Sequence, residues 1–353
     1  MSVAPFAQVS YVVARVAARV VSGPELCRND EWLNLCINIT HTSMAAAHAL
    51  REKWPQWARW LAPYFFKPVK TVRACQKRAT ELLAPVVEAR QKALLGKTDP
   101  DSDSGGKTPQ YVDAVQWLID YYHSRNRKLS FELLAQTQLF YALASIHSST
   151  LICLSILFDL IDERNHAARD VILEEIRQTQ KEFPEWTRPA IAKLVKLDSF
   201  MKESSRLNYV GHVRVTRVAQ VPYTFKDGLY IPKGTMVQIL HSGHQHDPEI
   251  FEDPLRFDPW RFLRQRQTSS GENENKFQFD SLSEIETQFG AGFHACPARN
   301  SATASIKLIL IEFLTRYELK FDADTQERPP NVGHDSATFP VPTTKVFIKK
   351  RAT

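Results

Sequence analysis

The segment from Leu133 to Phe158 most constrains how this chain can fold, because it carries no Lys, Arg, Asp or Glu. A stretch of this length can cross a bilayer. It nevertheless contains several polar side chains, namely Gln136, Thr137, Gln138, Ser145, His147, Ser148 and Ser149. Polar groups in hydrocarbon are costly and need partners. The segment therefore predicts a long helix, at about 131–162, that is buried within a protein rather than facing lipid.

The rest of the chain favours a mainly α fold with a minor β region. Its 353 residues can bury a large core, and its 43% hydrophobic and 24% charged content is typical of a globular protein. Apolar residues recur at helical spacing over most of 9–181, interrupted at 96–110 by a predicted loop rich in Gly, Asp and Ser. Near Val213 the period changes to two, and turns at 226–228 and 232–234 indicate short strands. We interpret 1–353 as a single domain.

Charge and cysteine content narrow the function classes. The net charge is +6, but Lys and Arg are spread along the chain, so we expect no nucleic-acid partner. The five cysteines are odd in number and form no CxxC pair, which disfavours a disulfide framework and indicates a reducing compartment. Each cysteine must therefore be considered separately.

The segment 289–299, Phe-Gly-Ala-Gly-Phe-His-Ala-Cys-Pro-Ala-Arg, leads directly into a predicted helix. A thiolate at Cys296 would be favoured by the helix dipole and by free backbone N–H groups. Gly292 would let the backbone approach a flat cofactor, Phe289 would pack near the sulfur, and His294 would reach an anionic group. The pattern thus indicates a cysteine with a favoured thiolate beside a flat cofactor.

These residues resemble the ligand loop of the cytochrome P450 family, in which Phe289, Gly292 and Cys296 stand in register. Glu203 and Arg206 are similar to the family's Glu-x-x-Arg helix, for which we predict Asp198 as the N-cap. Arg261 lies in an aromatic-Pro-Arg segment at 257–262. The resemblance implies a P450-like fold, haem b held by the Cys296 thiolate, and a buried triad of Glu203, Arg206 and Arg261.

The uncharged helix resembles the family's distal helix, which delivers protons to bound dioxygen. Ser148 matches the alcohol of the family's acid–alcohol pair, and His147 occupies the place of the acid, as in the fungal secondary-metabolism branch. Imidazole can relay protons near neutral pH. The alternative is that His147 only hydrogen-bonds a buried carbonyl group.

The resemblance implies a monooxygenase that uses O2 and electrons from NADPH-cytochrome P450 reductase. Its substrate would be a small hydrophobic secondary metabolite of the terpenoid or indole alkaloid class. The family location is the cytoplasmic face of the endoplasmic reticulum, with peripheral membrane contact. The chain corresponds to a family member without its N-terminal third and so without the usual anchor, which leaves a cytoplasmic location open.

Two departures and three alternatives accompany this interpretation. Ala298 replaces the usual glycine, which is tolerable if its φ is negative, and Phe293 is expected to crowd the ligand loop. A zinc site formed by the cluster at 241–247 (His241, His244, His246 and Asp247) is one alternative. The others are a non-catalytic remnant and a haem-thiolate isomerase or peroxygenase.

Overall fold

The computed structural model describes residues 2–96, 111–267, 273, 276–324, 326–334 and 336–351. Apart from Gly96, the predicted loop at 96–110 lies outside these described residues. Within them the chain is mainly helical with short strands, which confirms the predicted fold class.

Twelve α-helices lie within the described ranges. In chain order they are α1 (Phe6–Val21), α2 (Asp30–Lys53), α3 (Ala62–Phe65), α4 (Lys67–Gly96), α5 (Ala114–Ser124), α6 (Phe131–Ile161), α7 (His166–Glu182), α8 (Arg188–Lys193), α9 (Val195–Leu207), α10 (His241–Gln245), α11 (Arg261–Arg266) and α12 (Arg299–Arg316). Single-turn 3₁₀ helices occupy Glu163–Asn165 and Gly292–His294, and a longer one runs from Gln56 to Leu61.

Nine short strands accompany the helices in the part of the chain that is described. They are β1 (Ser2–Val3), β2 (Val213–Val218), β3 (Tyr223–Thr224), β4 (Tyr230–Ile231), β5 (Met236–Leu240), β6 (Tyr317–Phe321), β7 (Val332–His334), β8 (Ala337–Phe339) and β9 (Val346–Lys350). The pairs β2–β5, β3–β4 and β7–β8 are antiparallel ribbons, and β1, β9 and β6 form a three-stranded sheet in that order. The two predicted turns lie between β3 and β4 and between β4 and β5.

Two compact units are distinguished along the chain. The first comprises Met1–Phe6 and Leu151–Thr353, and the second Ala7–Thr150. In the second unit, the Arg90 guanidinium is buried between two carboxylates, 2.7 Å from Asp113 and 2.6 Å from Glu25. Because a buried cation needs such partners, these ion pairs hold α4 against the N-terminus of α5 and the loop after α1.

Helix α6 corresponds to the uncharged segment. By length and composition alone it could cross a membrane, yet 61% of its most apolar window is buried in the protein. Four of its hydroxyl groups are also satisfied locally, since Thr137, Ser145, Ser148 and Thr150 each donate a hydrogen bond to the carbonyl four residues earlier. This local bonding lets a helix carry hydroxyl groups in a dry environment.

Candidate functional site

The loop that carries Cys296 is closed by backbone hydrogen bonds. The Cys296 N–H donates to the Phe289 carbonyl at 2.7 Å, and the Ala295 N–H donates to the Gly292 carbonyl at 3.0 Å. The ring of Phe289 packs edge-on against buried Phe279, with centroids 5.6 Å apart. The Cys296 thiol is half-buried and lies three residues before the start of α12. The loop therefore holds an accessible sulfur in a fixed position.

Two glycines give this loop its path. Gly290 and Gly292 have φ values of +79° and +59°, a left-handed conformation that side chains rarely adopt. A Cβ on Gly290 would lie 3.2 Å from the His294 carbonyl oxygen, whereas a Cβ on Gly292 would meet no protein atom within 4 Å. Gly290 thus allows the loop to fold back on itself, and Gly292 leaves open space beside the backbone for a flat group.

The two departures from the family pattern have different outcomes. Alanine is tolerable in place of glycine if its φ is negative. Ala298 has φ −91°, so alanine fits there without strain. The expectation that Phe293 crowds the loop is wrong, because its side chain is 99% exposed and points into solvent. The neighbouring His294 is also exposed, with its ring 5.4 Å from that of Phe293.

The structure brings Glu203, Arg206 and Arg261 together in the core of the first unit. Arg206 and Glu203 form a bidentate salt bridge, with nitrogen–oxygen distances of 2.8 and 2.9 Å. The Nε of Arg261 lies 3.2 Å from both carboxylate oxygens, and the backbone N–H of Asp258 donates to one of them at 3.0 Å. One carboxylate therefore serves two guanidinium groups and an amide.

This triad carries one more positive than negative charge, and backbone carbonyls offset the excess. Arg206 and Arg261 donate further hydrogen bonds of 2.6–3.4 Å to the carbonyls of Gln245, Glu252, Asp253, Pro254 and Arg256. The ring of Phe251 lies 4.9 Å from the Arg206 guanidinium. Because hydrogen bonds from charged donors are stronger than neutral ones, they fix the irregular segment 245–258 to α9.

Asp198 has a different role from the one predicted. The N-cap of α9 is Leu194, and Asp198 lies inside the first turn. Its buried carboxylate contacts the Lys307 ammonium at 2.6 Å and accepts the Phe279 N–H at 2.9 Å. Because Phe279 supports Phe289, this buried pair connects α9, α12 and the base of the ligand loop.

Arg214 is a site residue that the sequence patterns did not indicate. It stands in β2 beside a bulge, where the register with β5 shifts between Arg214 and Arg217. The next residue, Val215, has φ +53°, which is a genuine outlier for a β-branched residue. Strain of this kind concentrates at functional sites, where bulges redirect a side chain.

No carboxylate of the described residues forms an ion pair with the redirected guanidinium. Arg214 Nε is buried without a hydrogen-bond partner among the described residues, and burial lowers the Arg214 pKa. Nearby, the buried His241 bonds Thr287 Oγ1 through Nδ1 at 3.1 Å while its Nε2 is unpartnered. The His241 pKa is lowered to about 4, mainly because the imidazole is buried and next because of the positive charge of Arg214. A half-buried cation without a carboxylate partner is suited to an anionic ligand.

The His-rich cluster does not assemble a metal site. In the described ranges, no group of three or more His, Cys, Asp or Glu side chains is placed to hold a metal ion. His241 is instead part of the packing around Tyr209, whose ring lies 5.8 Å from that of His241 and 5.6 Å from that of His246. These three rings connect α10 to the segment that follows α9.

His147 and Ser148 lie on α6 in the second unit. His147 Nε2 is 2.9 Å from the Ile37 carbonyl, and the ring lies edge-on to His41, with centroids 4.8 Å apart. The His147 pKa is lowered, mainly because the imidazole is buried and to a smaller extent because of the charge of His41. The hydrogen bond to the Ile37 carbonyl raises the pKa but does not outweigh these effects. Because a carbonyl only accepts, Nε2 carries the proton and Nδ1 of the neutral ring is an acceptor. Ser148 Oγ donates to the Ala144 carbonyl at 2.9 Å.

The structure is that of a mainly helical protein with a half-buried cysteine in a closed loop, and comparison with known proteins gives the family. A profile of the cytochrome P450 family matches residues 2–348. A cytochrome P450 monooxygenase of Pyricularia oryzae is 38% identical over 98% of this chain and 73% of its own length. A cytochrome P450 monooxygenase of Chaetomium globosum is 36% identical over 99% of this chain and 65% of its own length. The pyrichalasin C-7 hydroxylase of Pyricularia grisea is 35% identical over 96% of this chain and 64% of its own length.

The chain belongs to the cytochrome P450 family, which confirms the resemblance to its fungal secondary-metabolism type. Among solved structures, the retinoic acid bound cyanobacterial CYP120A1 is 20% identical and matches with a TM-score of 0.67. The match covers 99% of this chain and 70% of the CYP120A1 chain, which confirms the fold. The chain spans about two thirds to three quarters of its fungal relatives' length. The family's cofactor is haem held through a cysteine thiolate.

The described residues fit this cofactor. Cys296 offers a half-buried sulfur, Gly292 leaves space beside the loop, and Arg214 offers a half-buried cation to a propionate. Because the loop and Arg214 lie in different parts of the chain, their agreement supports a haem site in the first unit.

We expect Arg214→Gln to weaken haem binding without destabilising the haem-free protein. Loss of a charge-assisted hydrogen bond to a propionate should lower haem affinity roughly tenfold to a hundredfold. The haem-free protein should unfold at the same urea concentration or a higher one, because a half-buried cation without a carboxylate partner is removed. Haem transfer to apomyoglobin and urea titration measure the two effects. Lys226→Gln, an exposed cation in the turn between β3 and β4, is the control, and equal haem loss in both variants would contradict the assignment.

Proposed function

We propose that this chain is the catalytic region of a haem-thiolate monooxygenase that hydroxylates a hydrophobic secondary metabolite of the terpenoid or indole alkaloid class. The observation that carries the proposal is the closed loop around Cys296, joined through Phe289, Phe279 and Asp198 to the core of the first unit. The printed names of the relatives, monooxygenases and one hydroxylase, support the reaction type.

Each residue has a role that follows from its contacts. Thiolate-ligated haem, when bound, activates O2 and oxidises unactivated C–H bonds. Cys296 supplies the thiolate, and the N–H groups at the start of α12 favour its negative charge. Arg214 and exposed His294 are the candidates to bind propionates. The buried triad keeps the segment before the ligand loop in place.

The proton-relay role of His147 and Ser148 is supported by the state of the imidazole. Because its pKa is lowered and Nε2 donates to Ile37, the ring is neutral near pH 7 with a free lone pair on Nδ1. It can accept a proton at Nδ1. Ser148 can accept a further hydrogen bond while it donates to Ala144.

The partners and the location follow from the family. Electrons would come from NADPH-cytochrome P450 reductase, and positive charge on this chain of net charge +6 would favour a docking acidic surface. We propose a location at the cytoplasmic face of the endoplasmic reticulum, with peripheral membrane contact.

The proposal is tested by turnover under ¹⁸O₂. The haem-loaded chain is supplied with reductase, NADPH and a panel of terpenoids and indole alkaloids, and products are analysed by mass spectrometry. We expect one ¹⁸O atom in a hydroxylated product and no product without reductase. The His147→Ala and Ser148→Ala variants should turn over at least tenfold more slowly, since general acid–base groups contribute about 10²–10⁴ in rate. Haem binding without labelled product would contradict the proposal.

A second candidate is a haem-thiolate isomerase or peroxygenase. It is favoured by the histidine at position 147, whose Nε2 is engaged by the Ile37 carbonyl. In that case product would form without reductase, either unlabelled from substrate alone or with oxygen from added hydrogen peroxide. The same labelling experiment separates the two candidates.

A further inference from the structure

Lys202 on α9 is a buried cation to which the proposed function assigns no role. It precedes Glu203 of the triad, and its side chain is 4% exposed. Its Nζ lies 2.7 Å from the carboxylate of Glu286, whose side chain is 11% exposed, and donates to the Gln278 carbonyl at 2.7 Å. The ammonium also faces the buried ring of Phe262, 5.0 Å from the ring centroid. Because buried charges need partners, these contacts account for the burial of Lys202.

The two oxygen partners of Lys202 are the two ends of one loop. The segment 278–286, which the structure describes in full, contains no helix or strand and lies between α11 and the ligand loop. We refer to it as the 278–286 loop. The side-chain amide of Gln288 donates to the Phe279 carbonyl at 2.9 Å and so closes the loop a second time. A single ammonium thus fixes the start and the end of this loop to α9.

Few apolar contacts hold the middle of the 278–286 loop. Over the described stretch 280–286 no residue is buried, and its two large apolar side chains, Leu282 and Ile285, are 39% and 41% exposed. Hydrophobic burial therefore contributes little to the conformation of this stretch. What ties its far end to the core is the ion pair between Glu286 and Lys202, followed by buried Thr287.

The Glu286 end of the loop continues directly into the ligand loop. The carbonyl of the next residue, Thr287, accepts the Gly290 N–H at 2.9 Å. The Phe289 carbonyl in turn accepts the Cys296 N–H at 2.7 Å. Because these bonds follow one another within a few residues, a displacement of Glu286 would shift the backbone that carries Cys296.

We propose that Lys202 is a positioning residue for the Cys296 thiolate. By holding both ends of the 278–286 loop on α9, its ammonium keeps the ligand loop in the conformation that presents the sulfur to the cofactor. The triad around Glu203 holds a different segment, 245–258. The inference rests on the proposed function, because it requires haem that is ligated by Cys296.

The test compares the lifetime of thiolate ligation with the stability of the fold. Haem-loaded protein is reduced, treated with CO and kept in urea below the unfolding transition. The decay of the long-wavelength Soret band is followed together with far-ultraviolet circular dichroism. We expect Lys202→Met to lose the band at least about tenfold faster than the parent, the effect of losing one charge-assisted hydrogen bond.

A second variant separates positioning from folding. Lys202→Met alone leaves a buried carboxylate unpaired, which destabilises the fold, whereas Lys202→Met with Glu286→Gln removes both charges. This double variant should unfold close to the parent's urea concentration and still lose the band at least about tenfold faster than the parent. A role in folding alone would not produce that combination.

Glu25→Gln is the matched control. Its partner Arg90, at 2.6 Å, is 2% exposed and therefore as buried as Lys202, but the pair lies in the second unit. The control should unfold at lower urea and keep the parent's band lifetime below its transition. The proposal is overturned if the double variant retains the band as long as the parent, or if band loss in all variants follows their stability. A parent without the band would overturn the proposed function as well, whereas equally long-lived bands in parent and double variant overturn only the role of Lys202.

Discussion

Replacing Cys296 with Ser should abolish the long-wavelength Soret band of the reduced, CO-bound protein. The band reports a thiolate on the iron, and a serine hydroxyl is not ionised at neutral pH, so it cannot replace the sulfur as an anionic ligand. Any haem that remains should absorb at shorter wavelength, and turnover should be lost. The difference spectrum of reduced protein with and without CO measures the effect.

The other cysteines provide the control for this experiment. Cys27, Cys36 and Cys153 are buried, and burial raises the pKa of the Cys36 and Cys153 thiols to about 12, which disfavours their thiolates. Cys75 is half-buried like Cys296, so Cys75→Ser is the matched variant. It should retain the full band. A band that survives in Cys296→Ser, or is lost in Cys75→Ser, would place the ligand elsewhere.

The sequence predicts the parts of the site whose signal is local. Cys296, Gly292 and Phe289 are recognisable because one short loop must provide a sulfur, a close backbone approach and a packing ring. The Glu203–Arg206 spacing places both side chains on one face of α9. Arg261 is predicted from the aromatic-Pro-Arg segment at 257–262 and its resemblance to the family pattern. In the structure, its Nε lies 3.2 Å from the Glu203 carboxylate.

The residues that were missed depend on contacts far along the chain. Arg214 is distinctive because a bulge redirects it and because its Nε is buried without a hydrogen-bond partner among the described residues, neither of which a strand-like alternation shows. Asp198 has the residue type of an N-cap, but its carboxylate is used by Lys307 and Phe279 instead. The size of Phe293 predicts that it crowds the loop, but the direction of its side chain determines whether it does. The 3₁₀ turn at Gly292–His294 directs this side chain into solvent.

Replacing Glu203 with Gln should destabilise the protein by about 3–5 kcal/mol, the usual cost of removing one partner from a buried ion pair. The Glu203 side chain is fully buried, and without its charge two buried guanidiniums would share one neutral amide oxygen besides their backbone carbonyl acceptors. A glutamine keeps the shape but offers one acceptor atom in place of two. Urea unfolding followed by far-ultraviolet circular dichroism gives the difference in the free energy of unfolding.

The chain contains a matched control for this substitution. Glu174 and Arg177 on α7 form an exposed pair with the same i,i+3 spacing at 3.9 Å, where solvent screens both charges. Glu174→Gln should therefore cost less than about 1 kcal/mol. If Glu203→Gln cost as little, the buried triad would contribute nothing beyond an ordinary surface pair. A large loss confined to Glu203→Gln would instead show that its carboxylate secures the segment that leads to the ligand loop.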